Sequence, residues 1–417
     1  MVILEALRTP NYAIYAAGNS ISLIGFWMQR IAVGWLIWEL TESGGWLGLL
    51  AFADLFPSVI IGPIGGAMAD RVDRLKIIVY AQSLAMILAL VMFFLLVFGL
   101  MNEYLLLLII FLGGLAMGFN QPSRLSLVPT LVPRELIGNA VAINAIVFNL
   151  ARFIGPALAG VMIVAWGVET ALLANALTYV PLLFALAILR RRVNDDPTSR
   201  TGKKGPKGTM LQEIKAGVSY AAGHPGIGPL LALLLAVSIG VRPFVELLPG
   251  FVADVFSRGA DALATMTAIL GLGSIAAGLW MAGRPEAEGM TNKCLLATAV
   301  VCLTILGFVA TDSYYFALAC MAVAGIAMTF SGVGAQVLLQ TSIADEMRGR
   351  VLSLYGIIFR GGPAAGALII GAASEFFGLR WPLAVGVCLS LMVWLYIWLR
   401  RGTMRQAMEI NQQENKQ

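Results

Sequence analysis

Long apolar stretches, separated by short polar segments, recur along the whole chain. A helix that crosses the hydrocarbon core of a bilayer needs about 20 mostly apolar residues. Twelve stretches meet this requirement, so the pattern predicts an all-α membrane protein with that many transmembrane helices. The predicted spans cover residues 11–38, 46–69, 75–100, 104–122, 136–165, 170–189, 227–252, 263–283, 291–310, 314–339, 351–373 and 379–399.

The composition excludes an ordinary soluble domain. Of the 417 residues, 59% are hydrophobic and 12% are charged, whereas soluble domains carry about 25% charged residues. The mean hydropathy is +0.85. A water-facing surface cannot be built from so few charges, so most of the surface must face lipid.

The basic residues set the predicted orientation. Cytoplasmic loops of membrane proteins hold an excess of Lys and Arg. With the N-terminus inside, the outer loops contain only Arg258 and Arg380, so we expect both termini to be cytoplasmic. The net charge of +5 is spread over loops between spans. We therefore expect the lipid bilayer as a partner and no nucleic acid.

A polar segment at residues 190–207, rich in charge, Gly and Pro, interrupts the apolar pattern near mid-chain. This composition is typical of a linker. The helical spacing of apolar residues after it predicts a short amphipathic helix on the membrane surface. The predicted organisation is a six-helix bundle at 1–190, a cytoplasmic linker with this helix at 191–223, a second six-helix bundle at 224–401 and a cytoplasmic tail at 402–417.

The two predicted bundles carry signs of an internal repeat. The segment SLVPTLVPRELIGNAVA at 126–142 aligns with VLLQTSIADEMRGRVLS at 337–353. The alignment predicts two pseudo-symmetric bundles, with chance similarity between two apolar stretches as the alternative. The matched pairs, each 211 positions apart, are Thr130 with Thr341, Glu135 with Glu346 and Gly138 with Gly349.

The loop between the second and third spans reads GAMADRVDRLK at residues 66–76. Its spacing of a glycine, an acid and three bases resembles the signature loop of the major facilitator superfamily. The resemblance implies twelve helices in two bundles, and a latch in which the loop charges hold one conformational state. A plain positive-inside loop is the alternative. The matching residues are Gly66, Asp70, Arg71, Arg74 and Lys76.

The loop departs from the family pattern in both halves. In the first half, Asp73 stands where the family usually has a glycine, so we expect the local turn to differ. In the second half, the equivalent stretch keeps Gly278 but has Ala282 where the acid would be. Any latch there should therefore be weaker.

The fifth span contains GPALAG at 155–160, and the eleventh contains GPAAG at 362–366. Small residues let helices approach closely, and proline bends them. The first segment resembles the antiporter motif of the superfamily, with plain helix packing as the alternative reading. The residues concerned are Gly155, Pro156, Gly160, Gly362, Pro363 and Gly366.

Three longer segments resemble the enterobactin-exporter and macrolide-efflux branch of the superfamily. They are AMADRVDRLKII, NQPSRLSLVPTLVPRELIGNAVAIN and LQEIKAGVSYAAGHP. The resemblance implies a multi-pass protein of the bacterial inner membrane, which we expect to be a monomer. It implies little about the substrate, because these segments are structural.

Four arginines lie inside predicted spans. A charged side chain at the bilayer centre costs roughly 2.5–3.5 kcal/mol on insertion scales, so such residues mark functional sites. Each half has one arginine in its first span and one in its fifth, and in the superfamily these helices border the central cavity. The candidate cavity residues are Arg30, Arg152, Arg242 and Arg360.

Two acids accompany these arginines. Asp54 and Arg30 lie at similar predicted depth, so they can pair. Glu246 follows Arg242 by four residues, and the two can pair on one helix face. A buried carboxylate beside an arginine can exchange the ion pair for a proton. Asp54 is therefore the first candidate for the proton-coupling residue and Glu246 the second.

The spans hold more arginines than acids, which indicates an amphipathic substrate with negative charge. Alternatively, helix carbonyls and the polar residues Asn144, Asn149 and Gln336 satisfy the arginines. Four aromatic side chains are candidates to line an apolar pocket, with packing or lipid contact as the alternative: Trp27, Phe52, Phe56 and Phe244.

The residues and the resemblance together predict a secondary active transporter that exports an amphipathic small molecule, drug- or siderophore-like, by proton antiport and alternating access. Its expected partners are this substrate and protons. Movement of lipids or lysophospholipids, and uptake of an organic anion, are alternatives on the same fold. A membrane receptor or scaffold that transports nothing is an alternative of another class.

We expect neither enzymatic activity nor a cofactor or metal. The sequence shows no constellation of catalytic nucleophile and base and no phosphate-binding loop. The single histidine, His224, has no Cys or His neighbour with ligand spacing. The four cysteines lack CxxC spacing and are expected to be packing residues.

Overall fold

The structure, a computed structural model, describes residues 2–69, 72–192, 210–282 and 289–410. The described part of the chain contains helices and no β-strand. Within it, twelve helical segments are long and apolar enough to cross a membrane. The prediction of an all-α membrane protein with twelve spans is confirmed.

The helical segments begin and end within three residues of the predicted spans, except at the end of the fourth span and at both ends of the eleventh. A short 3₁₀-helix, Val2–Arg8, precedes the first of them. The α-helices are α1 (Pro10–Thr41), α2 (Gly44–Ala69), α3 (Arg74–Val97), α4 (Glu103–Leu127), α5 (Ile137–Trp166), α6 (Val168–Arg192), α7 (Met210–Gly223), α8 (Ile227–Gly240), α9 (Phe244–Gly250), α10 (Ala260–Ala282), α11 (Met290–Ala310), α12 (Tyr314–Ser342), α13 (Asp345–Phe377), α14 (Arg380–Leu399) and α15 (Arg401–Arg405).

The chain forms two compact units. The first comprises the described residues of Met1–Gly202 together with Val252–Ala268, and the second those of Lys203–Phe251 and Ile269–Gln417. In the first unit α1 packs against α5 and α6. In the second unit the counterpart of α1, which is α8, packs against α13 and α14. Each unit thus repeats the contacts of its first helix with its fifth and sixth spans.

The buried cores of the two units carry the same repeat. One core cluster lies in each unit at the segment that the sequence alignment pairs. Within the two aligned segments, four buried positions of the first cluster each lie 211 residues before a buried position of the second. These pairs are Leu127 with Leu338, Val128 with Leu339, Val132 with Ile343 and Ala140 with Val351.

The predicted seventh span is not one continuous α-helix. The α8 helix ends at Gly240 and α9 begins at Phe244, with Arg242 in the turn between them. Pro243 has no amide hydrogen to donate, so the helical ladder breaks there. A π-helical turn, Phe251–Val255, follows Pro249. The expectation that Arg242 and Glu246 share the face of an unbroken helix is therefore wrong, and their direct pairing stays a prediction.

Candidate functional site

An ion pair joins the first span to the second. Nη1 of Arg30 on α1 lies 3.2 Å from Oδ2 of Asp54 on α2. The two side chains are 23% and 34% exposed, so both are partly shielded. A pair at this position reduces the cost of placing either charge in a span. The predicted pairing is confirmed, and the role of Asp54 in proton coupling stays a prediction.

A second arginine lies beside the same part of α1. The Cζ atoms of Arg30 and Arg152 lie 5.8 and 5.6 Å from the ring centroid of Trp27, within reach of cation–π attraction. Phe148 contacts the same indole edge to face, with centroids 5.7 Å apart. Nε1 of Trp27 is buried and makes no hydrogen bond with the described residues. Two guanidinium groups thus converge on one indole, whose own N–H group has no hydrogen-bond partner among the described residues.

Gly155 is what lets this group assemble. A methyl group on Gly155 would lie 2.6 Å from Cβ of Trp27 and 2.8 Å from the carbonyl oxygen of Ile24. Only hydrogen fits in that space, so α5 approaches the backbone of α1 directly. Arg152 lies one helical turn before Gly155, and the close approach brings it to Trp27.

The other glycines of the two small-residue segments also lie at tight contacts. Gly160 lies against Ala264 within the first unit. In the second unit, a methyl group on Gly362 would lie 2.5 Å from Cβ of Ser238, and one on Gly366 would lie 2.6 Å from Cγ of Pro243. Helix packing therefore accounts for both segments, including the buried Pro156 and Pro363.

Two of the three polar residues predicted as alternative partners of the arginines make hydrogen bonds to other groups. Asn144 accepts a hydrogen bond from Nδ2 of Asn19 at 3.3 Å. Nδ2 of Asn149 donates to the carbonyl oxygen of Ala145 at 2.8 Å. Gln336 on α12 is exposed.

A polar network around Arg124 was not predicted. Nε of Arg124 donates to Oη of Tyr15 at 3.3 Å, and its guanidinium also donates to Oδ1 of Asn19. Asn19 is 1% exposed and links this group to Asn144. The predicted fourth span ended at residue 122, whereas α4 continues through Pro122 to Leu127. The apolar residues after the proline were the signal that Arg124 belongs to the helix.

The candidate aromatic residues divide into two groups. Phe52 and Phe56 stack on α2 with ring centroids 4.4 Å apart, and Asp54 lies between them in sequence. Phe244 is fully buried and contacts Phe308, with ring centroids 6.4 Å apart. It is therefore part of the packed core in this structure.

The second unit places Arg242 against an aromatic side chain. Cζ of Arg242 lies 3.9 Å from the ring centroid of Phe359, and its Nη1 donates to the carbonyl oxygen of the same residue at 3.4 Å. Arg360 follows Phe359 directly on α13 and is partly buried. Glu246 lies on α9, beyond the break. Each unit therefore has an aromatic side chain beside an arginine: Trp27 beside Arg30 and Arg152, and Phe359 beside Arg242.

The loop at 66–76 is described in part, because Asp70 and Arg71 lie outside the described residues. Arg74 donates from Nε to the carbonyl oxygen of Ala69 at 3.2 Å and from Nη1 to that of Ser126 at 3.0 Å. Arg74 therefore ties the start of α3 to the end of α4. Gly66 faces open space and Lys76 is exposed, and the latch itself stays a prediction.

Asp73, which replaces the usual glycine, caps α3. Its Oδ1 accepts hydrogen bonds from the backbone N–H groups of Leu75 and Lys76, at 2.9 and 3.3 Å. These amides have no partner within the helix, so the cap stabilises its first turn. The aspartate in place of the glycine therefore fixes the start of α3.

His224 caps the start of α8 in a similar way. Its Nδ1 accepts from the backbone N–H groups of Gly226 and Ile227, at 3.1 and 3.2 Å. Burial lowers the pKa of His224, which favours the neutral ring that this cap requires. Among the described residues, no group of His, Cys, Asp and Glu could hold a metal ion.

Comparison with known proteins places this architecture. The family model described as "Transmembrane secretion effector" matches residues 3–416. The chain is 26% identical to the enterobactin exporter EntS of Escherichia coli, over 94% of each protein. It is 23% identical to macrolide efflux protein A of Streptococcus pyogenes, over 91% of this chain and 94% of the relative. It is 22% identical to the staphyloferrin A transporter of Staphylococcus aureus, over 88% and 90%.

Solved structures agree on the fold. The nucleoside transporter NupG superposes with a TM-score of 0.73 at 12% identity, covering 94% of this chain and 98% of the other. A bacterial homologue of the human lysosomal transporter Spinster superposes with a TM-score of 0.71 at 16% identity, covering 96% and 98%. At such identities the likeness shows the fold alone. Because the family model matches nearly the whole chain, this protein belongs to the transmembrane secretion effector family of the major facilitator superfamily and is a multi-pass membrane transporter.

Proposed function

We propose that this transporter exports an amphipathic small molecule with negative charge, drug- or siderophore-like, in exchange for protons by alternating access. The observation that carries the proposal is the convergence of Arg30 and Arg152 on the indole of Trp27, with Asp54 paired to Arg30. Related chains are named for enterobactin export and macrolide efflux, which supports a small molecule as the cargo.

The substrate site that we propose is built on Trp27. An anionic group of the substrate accepts charge-assisted hydrogen bonds from Arg152 and a hydrogen bond from the buried Nε1 of Trp27. The apolar part of the substrate packs on aromatic surface, such as the stacked rings of Phe52 and Phe56. This combination selects amphipathic anions over neutral or cationic compounds.

Proton coupling follows from the position of Asp54. While ionised, Asp54 holds Arg30 beside Trp27 and so completes the site. A proton on Asp54 removes the ion pair, releases Arg30 from the ring and dismantles the site. Proton and substrate then exclude each other, which is the requirement for antiport. Glu246 is the second candidate for this role in the other unit.

The arrangement in the membrane is part of the proposal. The bundles are residues 1–190 and 224–401, joined by the linker at 191–223, and both termini lie in the cytoplasm of a bacterial cell. The protein acts as a monomer in the inner membrane. The scarcity of Lys and Arg in the opposite loops supports the orientation.

Transport in proteoliposomes tests the function. Purified protein is reconstituted with a pH indicator inside, and enterobactin, erythromycin or a lysophospholipid is supplied. We expect movement of an anionic amphipath to be coupled to opposite proton movement in the wild type and to lose this coupling in Asp54→Asn. Asp261→Asn, which alters an exposed carboxylate, is the matched control.

Three outcomes contradict the proposal. Normal proton-driven transport in Asp54→Asn removes this residue from coupling. Transport of only neutral or cationic compounds, unaffected by Arg152→Ala, removes the anionic substrate. Co-movement of protons and substrate in the same direction favours an uptake carrier instead.

A further inference from the structure

The chain beyond the last span folds back onto the second unit. Here α15 is followed by a π-helical turn, Gln406–Ile410, and we call the segment 401–410 the C-terminal strap. Met404 and Met408 are 2% and 1% exposed and belong to the core cluster of this unit. Side chains buried to this degree do not belong to a free tail, so the strap is part of the folded bundle.

The strap contacts the ends of two spans. A methyl group on Gly226, just before α8, would lie 2.8 Å from Sδ of Met408, so glycine is needed there for the methionine to pack. Oγ of Ser342, the last residue of α12, donates to the carbonyl oxygen of Met408 at 3.4 Å. One methionine thus lies against the start of α8 and the end of α12.

Glu409 connects the strap to a third span. Its Oε2 and Oε1 accept hydrogen bonds from the backbone N–H groups of Gly289 and Thr291, at 3.1 and 2.6 Å. Its side chain is 9% exposed and lies 3.5 Å from Nε of Arg405. A carboxylate with two backbone donors and a cation is well compensated for its burial. It also lies at the positive end of the α11 helix dipole.

The need for Glu409 follows from the local sequence at α11. The residue that precedes this helix is Gly289, with φ of +70° and no side chain to cap the free amides. The counterpart helix of the first half, α3, is capped by Asp73 from its own loop. Gly289 has no side chain for this role, and Glu409 from the far end of the chain accepts the hydrogen bond of the Thr291 amide instead.

We propose that the C-terminal strap is a clamp that caps the start of α11 from the far end of the chain. Through Glu409 and Met408 it fastens the ends of α8, α11 and α12 to one another, so that these ends move as one body. The clamp is independent of the substrate and of the proposed antiport. It predicts that release of the strap loosens the first turn of α11 while the transmembrane part stays folded.

Amide hydrogen exchange and thiol labelling test the clamp in the full-length protein. Cys294, at the start of the second turn of α11, is 2% exposed and lies in the same core cluster as both methionines, so it reports on strap release. In Glu409→Ala, we expect exchange of the amides at 290–293 to accelerate about 5- to 30-fold, the usual range for a lost cap. A water-soluble maleimide should label Cys294 faster.

The control is Gln406→Ala, which alters an exposed residue of the same strap and should match the wild type. Glu409→Gln keeps the shape of the side chain and one acceptor oxygen. Its exchange rate at 290–293 should therefore fall between those of the wild type and Glu409→Ala. A truncation after Arg400 would also remove the buried Met404 and Met408, so loss of folding in it would not test the cap. The full-length Glu409 variants therefore decide the question. Unchanged exchange at 290–293 and unchanged labelling of Cys294 in Glu409→Ala overturn the proposal.

Discussion

Arg30 and Asp54 form an ion pair of 3.2 Å between α1 and α2, and the same guanidinium lies 5.8 Å from the indole of Trp27. Arg152 reaches that indole from α5 at 5.6 Å. A titratable carboxylate is therefore linked, through one arginine, to a place where an anion can bind. This link gives the proposed exchange of protons for substrate a physical basis.

Replacement of Trp27 by Phe separates stability from binding. The variant keeps the aromatic ring but removes Nε1, a buried donor without a hydrogen-bond partner among the described residues. We expect the melting temperature to stay the same or rise, because an unsatisfied buried donor is costly. Affinity for an anionic ligand should fall about 2- to 10-fold, the worth of one hydrogen bond. A melting temperature lowered together with unchanged affinity contradicts this assignment.

Replacement of Arg152 by Ala should weaken binding of an anionic ligand about 10- to 100-fold, because a hydrogen bond to a charged group is lost. Arg152→Lys keeps the charge but not the planar fork, so it should restore only part of the affinity. Calorimetric titration of detergent-purified protein measures both values. Arg134→Ala, at an exposed position, serves as the control, and equal affinities in all three variants argue against an anionic substrate.

Enlargement of Gly155 tests the contact that assembles the site. Gly155→Ala places a methyl group 2.6 Å from Cβ of Trp27, and overpacking of this kind costs about 1–3 kcal/mol. We expect a lower melting temperature and weaker ligand binding. Gly113→Ala adds the same methyl group where no atom lies within 4 Å, and it should be neutral. Equal stability of the two variants would falsify the close approach of α5 to α1.

The cap at His224 predicts a pH dependence of stability. Burial lowers the pKa of His224 in the folded protein below its ordinary value, so the unfolded chain binds a proton more readily. The stabilisation is therefore complete above the ordinary pKa of about 6.5 and decreases as the pH falls below it. Protonation of Nδ1 also removes the acceptor for Gly226 and Ile227.

Melting temperatures measured between about pH 5 and pH 8 in wild type and His224→Asn check this. Carboxylates titrate in both proteins, so the difference between the two curves isolates the histidine. Asn keeps an oxygen acceptor at all these pH values. The gap, meaning the melting temperature of His224→Asn minus that of the wild type, should therefore widen toward acid. A constant gap contradicts the role of His224 as a pH-dependent cap.

The apolar pattern was sufficient to predict the twelve spans, since the bilayer imposes their length, and depth along two helices was sufficient to pair Arg30 with Asp54. The convergence of Arg152 on Trp27 could not be predicted, because it depends on how closely α5 approaches α1 at Gly155. Proline was misleading in two opposite ways. Pro122 did not end α4, whereas Pro243 did interrupt the seventh span.

The C-terminal strap shows a second limit of sequence reasoning. Charged residues around 401–417 resemble any solvated tail, and their pattern does not reveal that Met404 and Met408 are buried. The cap that Glu409 gives to α11 is a contact between distant parts of the chain, which no local pattern indicates. Only the folded structure brings these residues together.

The most direct test of the central claim is the pH dependence of ligand binding to purified protein, measured with an anionic ligand found by thermal stabilisation. If ionised Asp54 holds Arg30 in the site, the wild type binds more tightly as the pH rises, and binding releases protons into the buffer. Asp54→Asn, which resembles the protonated state, should bind weakly at every pH. Tighter binding at low pH in the wild type, or the same pH dependence in Asp54→Asn, would contradict the account.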